Sequence, residues 1–491
     1  MRTHTHKNHP WLLVTFVALI LRLIPVILFK DMGIGLDDMY QYDMLARSIA
    51  SGTGFRWYSE EDLPLVTSYL DLDLEGSTYD PRGILTSFRP PLYPTFLAGI
   101  YLFTGITARR FFIARLVQAI LASVLVPLTY ALGRRIFPER RKIAITAAWI
   151  IAIYPMLVIY PLSLATENLF FVLVTSAVLA LVIAFQEPVT SEELGSSNKF
   201  IMGVIQNRWF LTAGVLLGLA GLTRSVSLAL AFLTIFWIWF GLRKKKQALL
   251  VLLMVILVTA PWMVRNSLLH HRFVAVESAL GYDLYVGYHP EGTGTFQYPQ
   301  SLDLMTMLDD GLRDELGREK AMEFIRADPV RFPYLILRRA GYFFGLERRA
   351  LTYFYSNNYF GNISSPLLLA VAVLFCLPFV VVTLSSVPGL AILKWNKSTV
   401  LLLLIMVGYI IPHLLIIAED RFHLALLPFL AVLASSFWVE GFRKGKASWM
   451  KEQGRWRWAA ALLVMSVLLA NWILEIIRDA EKLTLLFGPT G

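Results

Sequence analysis

One cysteine stands in the chain, Cys376, and it lies inside an apolar run. A single thiol excludes an intrachain disulfide framework and a thiolate metal site. Charged residues are scarce as well, at 16% of 491 residues. There is no zinc-ligand spacing and no aromatic–basic module, so nucleic acid is not an expected partner. Internal repeats are missing. So is a small-residue cleavage site after the first apolar run, Trp11 to Phe29, which therefore reads as a retained span rather than a removed signal peptide.

What is present is apolar. Hydrophobic residues make up 56% of the chain and the mean hydropathy is +0.59. This is a membrane composition, and about 20 apolar residues cross a bilayer. The expected fold is an α-helical polytopic membrane bundle. Spans are placed near 11–29, 111–133, 142–162, 168–186, 209–223, 225–241, 248–264, 364–386, 399–417, 422–440 and 457–477. They number about eleven by the length rule. The weakest are 209–223 and 225–241, a short pair broken by Arg224.

The net charge of +10 is concentrated in short links. Arg134, Arg135, Arg140, Arg141 and Lys142 form one; Arg243, Lys244, Lys245 and Lys246 a second; Arg443, Lys444, Lys446, Lys451, Arg455 and Arg457 a third. All fall on one side if the N-terminus, with Arg2 and Lys7, is cytoplasmic. The opposite short links carry only Arg224 and Arg421. The basic links imply contact with membrane lipids and a plasma-membrane location, and the odd span count then puts the C-terminus outside.

Two outer segments are long. The first, 30–110, holds Asp37 and Asp38 and then a short amphipathic helix over Asp38–Ala50. Met39, Tyr42, Ala46 and Ile49 share one of its faces, and Ser51-Gly52 end it. Such a helix is expected along the interface. Pro91–Phe103 is too short to span and reads as re-entrant or interfacial. The second segment, 265–363, is polar, with a helical pattern near 312–327 stopped by Asp328-Pro329, and is expected to form a small outer α/β or mostly helical domain. The division is thus 1–264 as a catalytic membrane module, 265–363 as the outer domain and 364–491 as the closing spans. The inner link 187–208 is acidic, Ser-rich and expected to be mobile.

Candidate chemistry clusters on the outer side. Asp37 and Asp38 form either a helix cap or a general base at the water interface. Glu167 lies in an almost chargeless link, where an ionisable group is a functional candidate by default, although it too has a capping alternative. Arg89, Arg224, Arg265 and Arg421 sit at outer ends of apolar runs. Snorkelling accounts for such arginines, and so does a clamp on a phosphate, whose oxygens match the guanidinium fork. Arg22, inside the first span, could face the same cavity, with a structural partner there the favoured reading. Aromatics make up 13% of the chain and any one is more often lipid-facing or interfacial, but some near the acid pair, such as Tyr40, Tyr42 and Tyr93, could stack on a sugar ring. His413 and His423, with Glu419 and Asp420 between, and His270-His271 fit no tight ligand spacing, so no metal site is expected from them.

The ordered set Gly35-Leu36-Asp37-Asp38-Met39-Tyr40, Arg89-Pro90-Pro91-Leu92-Tyr93-Pro94, Leu164-Ala165-Thr166-Glu167 and Gly221-Leu222-Thr223-Arg224 resembles the integral-membrane GT-C glycosyltransferases. The likeness is to their protein mannosyltransferase and aminoarabinose transferase branch. Pro261 to Asn266 and Glu419-Asp420-Arg421-Phe422 extend it. Three features depart from the pattern: Asp37-Asp38 stands where Asp-Glu is usual, Tyr288 and His289 replace amides in the Gly281–Pro290 stretch, and the spans are fewer than in some members.

The resemblance implies transfer of a sugar from a polyprenyl-phosphate donor to a hydroxyl on a lipid, glycan or protein acceptor, with inversion, on the outer face. Asp37 would be the base, the arginines the neutralisers of the leaving phosphate, and Glu167 the group that orients the acceptor or helps hold a divalent ion; Asp38, a catalytic candidate with Asp37 and Glu167, is by position the better placed of the pair to cap the helix that follows. Some branches use such an ion and others do not, and the residues leave this open. The rival reading is a lipid or sugar transporter. Its usual repeated halves are missing from this sequence.

Overall fold

The structure is a computed structural model that describes residues 9–72, 79–107, 109–186, 199–348, 364–450 and 452–479. The expected mobile link lies mostly outside the described residues, at 187–198, as do Arg2, Lys7 and the end of the second long segment, 349–363. Eight described helices are long and apolar enough to cross a membrane: Pro10–Leu28, Arg109–Ile136, Glu167–Gln186, Lys245–His270, Ser365–Ala391, Lys397–Leu415, Asp420–Gly441 and Gly454–Arg478. A ninth is counted if Arg141–Ile153 and Pro155–Leu162, bent by 55° at Tyr154, form one span. The chain is therefore a polytopic helical membrane protein.

The two weak spans explain the difference from eleven. Ser227–Gly241 is helical and apolar but short. Lys199–Gly221 is long, but Gln206-Asn207-Arg208 interrupts its apolar run. It still packs in the bundle, because Gly214 and Gly218 present a bare ridge to Lys245–His270. A Cβ on Gly214 would lie 2.9 Å from the Val251 carbonyl, and one on Gly218 would lie 2.8 Å from the Val258 Cβ. This is the small-residue spacing that lets membrane helices approach closely.

Burial separates inner from peripheral spans. Asp420–Gly441 is 83% buried and Glu167–Gln186 is 67% buried, whereas Lys245–His270 and Gly454–Arg478 are 22% buried. The first two form the axis of the bundle, and both begin with the charged residues singled out above. Arg22 is fully buried. It donates to the carbonyls of Ile151 (3.0 Å) and Ala152 (3.2 Å), which the bend before Pro155 deprives of helical partners. Its role is structural.

The two long segments pack on each other. Arg56–Trp57 pairs antiparallel with Ile84–Leu85, and Phe55, Trp57 and Phe88 share a core with Tyr282, Tyr285 and Val286. Buried Asp310 accepts from Thr86 Oγ1 (2.5 Å) and the Ser87 amide (2.7 Å), and so fixes the strand that leads to Arg89. The second segment is helical among its described residues: Leu280–Tyr288, Asp310–Ala327 and Arg331–Phe343. The Asp38–Ala50 helix forms as expected and ends at Ser51-Gly52, with Gly52 at φ +75°. Its apolar face does not meet lipid, however. Met39, Tyr42 and Ala46 pack against Leu97, Ala98 and Tyr101 of the Leu92–Thr104 helix.

Candidate active site

The turn before Asp37 is held by an arginine that the sequence gives no reason to single out. Arg115, fully buried in the second span, donates to the Leu162 carbonyl (2.8 Å), the Gly33 carbonyl (2.6 Å) and the Met32 carbonyl. It thereby ties the Gly33–Gly35 turn to the link that carries Glu167. Gln118, one turn on, donates to the Pro161 (3.0 Å) and Ser163 (3.2 Å) carbonyls. The acid pair and Glu167 are thus brought to the same end of the bundle by helix Arg109–Ser123.

Asp37 is the N-cap of the following helix, its carboxylate accepting from the Met39 amide at 3.0 Å, and it is exposed. The expected roles are therefore exchanged in part: Asp37 caps, and Asp38 does not. An N-cap residue sits just outside the first helical residue, and the helix starts at Asp38. Asp38 instead bridges two arginines. Its Oδ1 takes the Arg89 guanidinium, and its Oδ2 takes Arg421 Nη2 at 3.0 Å. Arg89 also donates to Gln41 Oε1 at 2.9 Å and 2.7 Å and lies over the rings of Phe88 and Tyr42.

Arg421 continues the network. Its Nε meets Glu419 Oε2 at 2.7 Å and Glu167 Oε1 at 3.9 Å. Glu167 is 2% exposed, and its Oε1 pairs with Arg224 Nη1 at 2.7 Å. Thr166 Oγ1 joins this pair, receiving from Arg224 at 3.2 Å and donating to Glu167 Oε2 at 3.1 Å. Asp38, Glu167, Arg89, Arg224 and Arg421 therefore form one connected ion-pair array drawn from five distant parts of the chain.

Other expected members lie elsewhere. Arg265 donates to the Thr86 carbonyl (2.6 Å) and stacks on Trp262, its contacts separate from the array. Tyr93 is fully buried with its hydroxyl on Gln118 (2.6 Å), and Tyr42 packs edge-on against it. Neither is placed to line an open site. Tyr40 donates to Asp62 at 2.8 Å. His413 is buried on the Phe422 ring, and His423 lies between the Phe343 carbonyl and Glu347. His270 meets Ser87 Oγ at 2.7 Å.

Two acids escaped notice. Glu277 accepts from Ser225, the residue after Arg224, and Asp283 lies within electrostatic reach of Glu277, Arg89, Asp38 and Arg224. Burial first, then the Glu277 charge, pushes the Asp283 carboxyl up to about 8, against the pull of Arg89. Burial also raises Glu277. The available signal was a lone Glu in the apolar run Ala275-Val276-Glu277. Among the described residues no three His, Cys, Asp or Glu side chains are grouped to hold a metal ion. The carboxylates of the array face guanidinium groups, which does not suit a resident divalent ion.

Such an array can bind an oxyanion by exchange of partners. A guanidinium fork that holds a carboxylate holds a phosphate equally well in geometry. An exposed carboxylate beside it can accept a proton.

Residues 89–197 match the family described as dolichyl-phosphate-mannose-protein mannosyltransferase. No curated protein matches the chain. Among solved structures, the Archaeoglobus fulgidus oligosaccharyltransferase tethered with an acceptor peptide superposes with a TM-score of 0.50 at 15% identity, over 95% of this chain and 55% of that one. The same organism's AglB in complex with an inhibitory peptide and a dolichol-phosphate gives 0.48 at 16% identity, over 96% and 56%. ArnT from Cupriavidus metallidurans bound to undecaprenyl phosphate gives 0.41 at 14%, over 89% and 79%. The chain spans about half the length of the oligosaccharyltransferase chains it matches. The resemblance to the GT-C glycosyltransferases drawn from the sequence thus stands, on the mannosyltransferase match over 89–197 and on the oligosaccharyltransferase fold.

Proposed function

We propose that the protein is a membrane glycosyltransferase that moves a sugar from a polyprenyl-phosphate donor to an acceptor hydroxyl. The observation that carries this reading is Arg421 holding Asp38 and Glu167 together, with Arg89 and Arg224 on their far sides. The mannosyltransferase match begins at Arg89 and includes Glu167. A transporter reading gains nothing from either.

In this reading the donor phosphate takes over the fork positions on Arg89 and Arg421 that Asp38 fills. The acceptor oxygen attacks the anomeric carbon as the carbon–oxygen bond to phosphate breaks, which inverts the centre. The bond's electron pair leaves with the phosphate, and its charge is met by the arginines, the kind of electrostatic stabilisation that is usually the largest catalytic contribution. Asp37, exposed at the edge of the array, takes the acceptor's proton. Phosphate is a weak base, so no second carboxyl need protonate the departing oxygen, unlike in glycoside hydrolysis. Glu167 fixes Arg224 and orients the acceptor.

The eleven-span topology with a cytoplasmic N-terminus belongs to the same proposal, and the array then faces outward with the 265–363 segment above it. Mass spectrometry of lipids copurifying with the protein tests the reading. A polyprenyl phosphate or its glycosylated form should be found. Its consistent absence, together with no binding of added polyprenyl phosphate, would overturn the assignment.

A further inference from the structure

The helix that starts at Glu167 runs 20 residues to Gln186, about 30 Å at the standard rise, and there Gln186 Nε2 donates to the Arg135 carbonyl at 2.9 Å. At this opposite end lies a cavity of about 360 Å³, within the size range of small-molecule sites. Its wall carries Arg140, Lys394, Arg443 and Lys444 against two carboxylates, Glu139 and Glu440. Glu440 is buried and organises three of the cations: Arg140 Nε lies at 2.8 Å, Arg443 Nη2 at 3.7 Å, and Lys444 is in contact. Arg140 and Arg443 nevertheless remain exposed at 47% and 72%, so their remaining donors face outward. The cavity thus keeps an excess of positive charge after its internal pairing.

Its position indicates what neutralises that charge. Trp395, next to the cavity's Lys394 in the chain, and Trp438, two residues before Glu440, are half-exposed, and Arg457 lies over the Trp395 ring at 5.6 Å. Tryptophans at span ends mark the membrane–water boundary, where lipid phosphates lie. The Ser365–Ala391 helix ends just before the cavity wall at Ile392, and it exposes Leu377 and Val381 about 21 and 15 Å of helix before that end, within reach of acyl chains.

We propose that this cavity seats the phosphate of an anionic membrane phospholipid, with its acyl chains against the Ser365–Ala391 helix. Arg140 and Arg443 supply forked donors, Lys394 and Lys444 supply point charges, and Glu440 keeps the cations gathered before the lipid arrives. This is a second anion site, separated by the thickness of the bundle from the Asp38–Arg421 array.

Native mass spectrometry of the full chain in mild detergent, titrated with phosphatidylglycerol or phosphatidylcholine, tests it. Phosphatidylglycerol should be retained at least about tenfold better than phosphatidylcholine. The triple variant Arg140→Gln, Lys394→Gln, Arg443→Gln should lose that preference. The charge-keeping triple variant Arg140→Lys, Lys394→Arg, Arg443→Lys accompanies it and should keep most of the preference, and the melting temperature of both variants reads whether they fold. Equal retention of the two lipids by the wild type, or a full preference in a folded glutamine triple variant, would overturn the proposal. A third arm uses inorganic phosphate alone. If it raises the melting temperature as much as phosphatidylglycerol does, and lipid adds nothing further, the site takes free phosphate and the lipid assignment is wrong.

Discussion

Arg421 Nη2 lies 3.0 Å from Asp38 Oδ2, although 383 residues separate them. This contact closes the array, because it joins the first long segment to the start of the bundle's most buried span. The arginine is held from both sides, by Asp38 and by Glu419, with Glu167 beyond.

Arg89→Ala and Arg421→Ala should each weaken donor binding by about 1–3 kcal/mol, the scale of a charge-assisted hydrogen bond. Arg→Lys should restore only part, because a lysine cannot present the bidentate fork. Arg265→Ala should leave donor affinity near wild type, since its contacts are with Thr86 and Trp262. Titration with polyprenyl phosphate reads all of these, and a large loss only in Arg265→Ala would move the clamp.

Arg22→Leu should destabilise the protein by about 1–3 kcal/mol, because the Ile151 and Ala152 carbonyls at the bend lose their donor inside the membrane. Donor affinity per folded molecule should hold. Unfolding in mixed detergent, read beside binding, separates the two effects.

Asp283 should give stability a slope with pH. Its carboxyl titrates near 8 when folded and in the ordinary acidic range, about 4, when unfolded. Between these values the folded state binds the extra proton. The contribution is therefore full below about pH 4 and is lost as pH rises through 8. Glu277 and Asp38 oppose ionisation there, while Arg89 and Arg224 favour it. In Asp283→Asn the decline in melting temperature between pH 5.5 and 9 should be shallower than in wild type. An unchanged slope would assign the pH response to other groups.

Cysteines introduced singly at 134–142 or 243–246 should resist an impermeant thiol reagent in intact cells, while one at Thr293 should react. The reverse pattern would place the array on the cytoplasmic side.

Much of the ion-pair array was legible because charge is rare in an apolar chain. Arg224, Arg421 and Glu167 stand out in links that carry little else, and the array joins all three. The Asp38–Ala50 helix was legible from its apolar period, yet its partner was not: periodicity shows that a face is buried and cannot show whether lipid or the Leu92–Thr104 helix covers it. Arg115 and Gln118 were invisible because their work is done on backbone carbonyls, which leave no mark in the sequence. Tyr93 misled for the opposite reason. An aromatic beside a candidate arginine suggests a sugar platform, and here its ring is core. The assignment of capping between Asp37 and Asp38 turned on a single residue of register.

The central claim rests on Asp37, and the sharpest measurement is turnover of a defined polyprenyl-phosphate sugar by Asp37→Asn beside wild type, with melting temperature and donor affinity on the same samples. Asparagine caps a helix as well as aspartate does, so the Met39 amide keeps its acceptor and the fold should be intact. The amide cannot take the acceptor's proton. Turnover should fall about a hundredfold or more while melting temperature and donor affinity stay near wild type. Full turnover in Asp37→Asn, or a loss matched wholly by unfolding, would contradict the account.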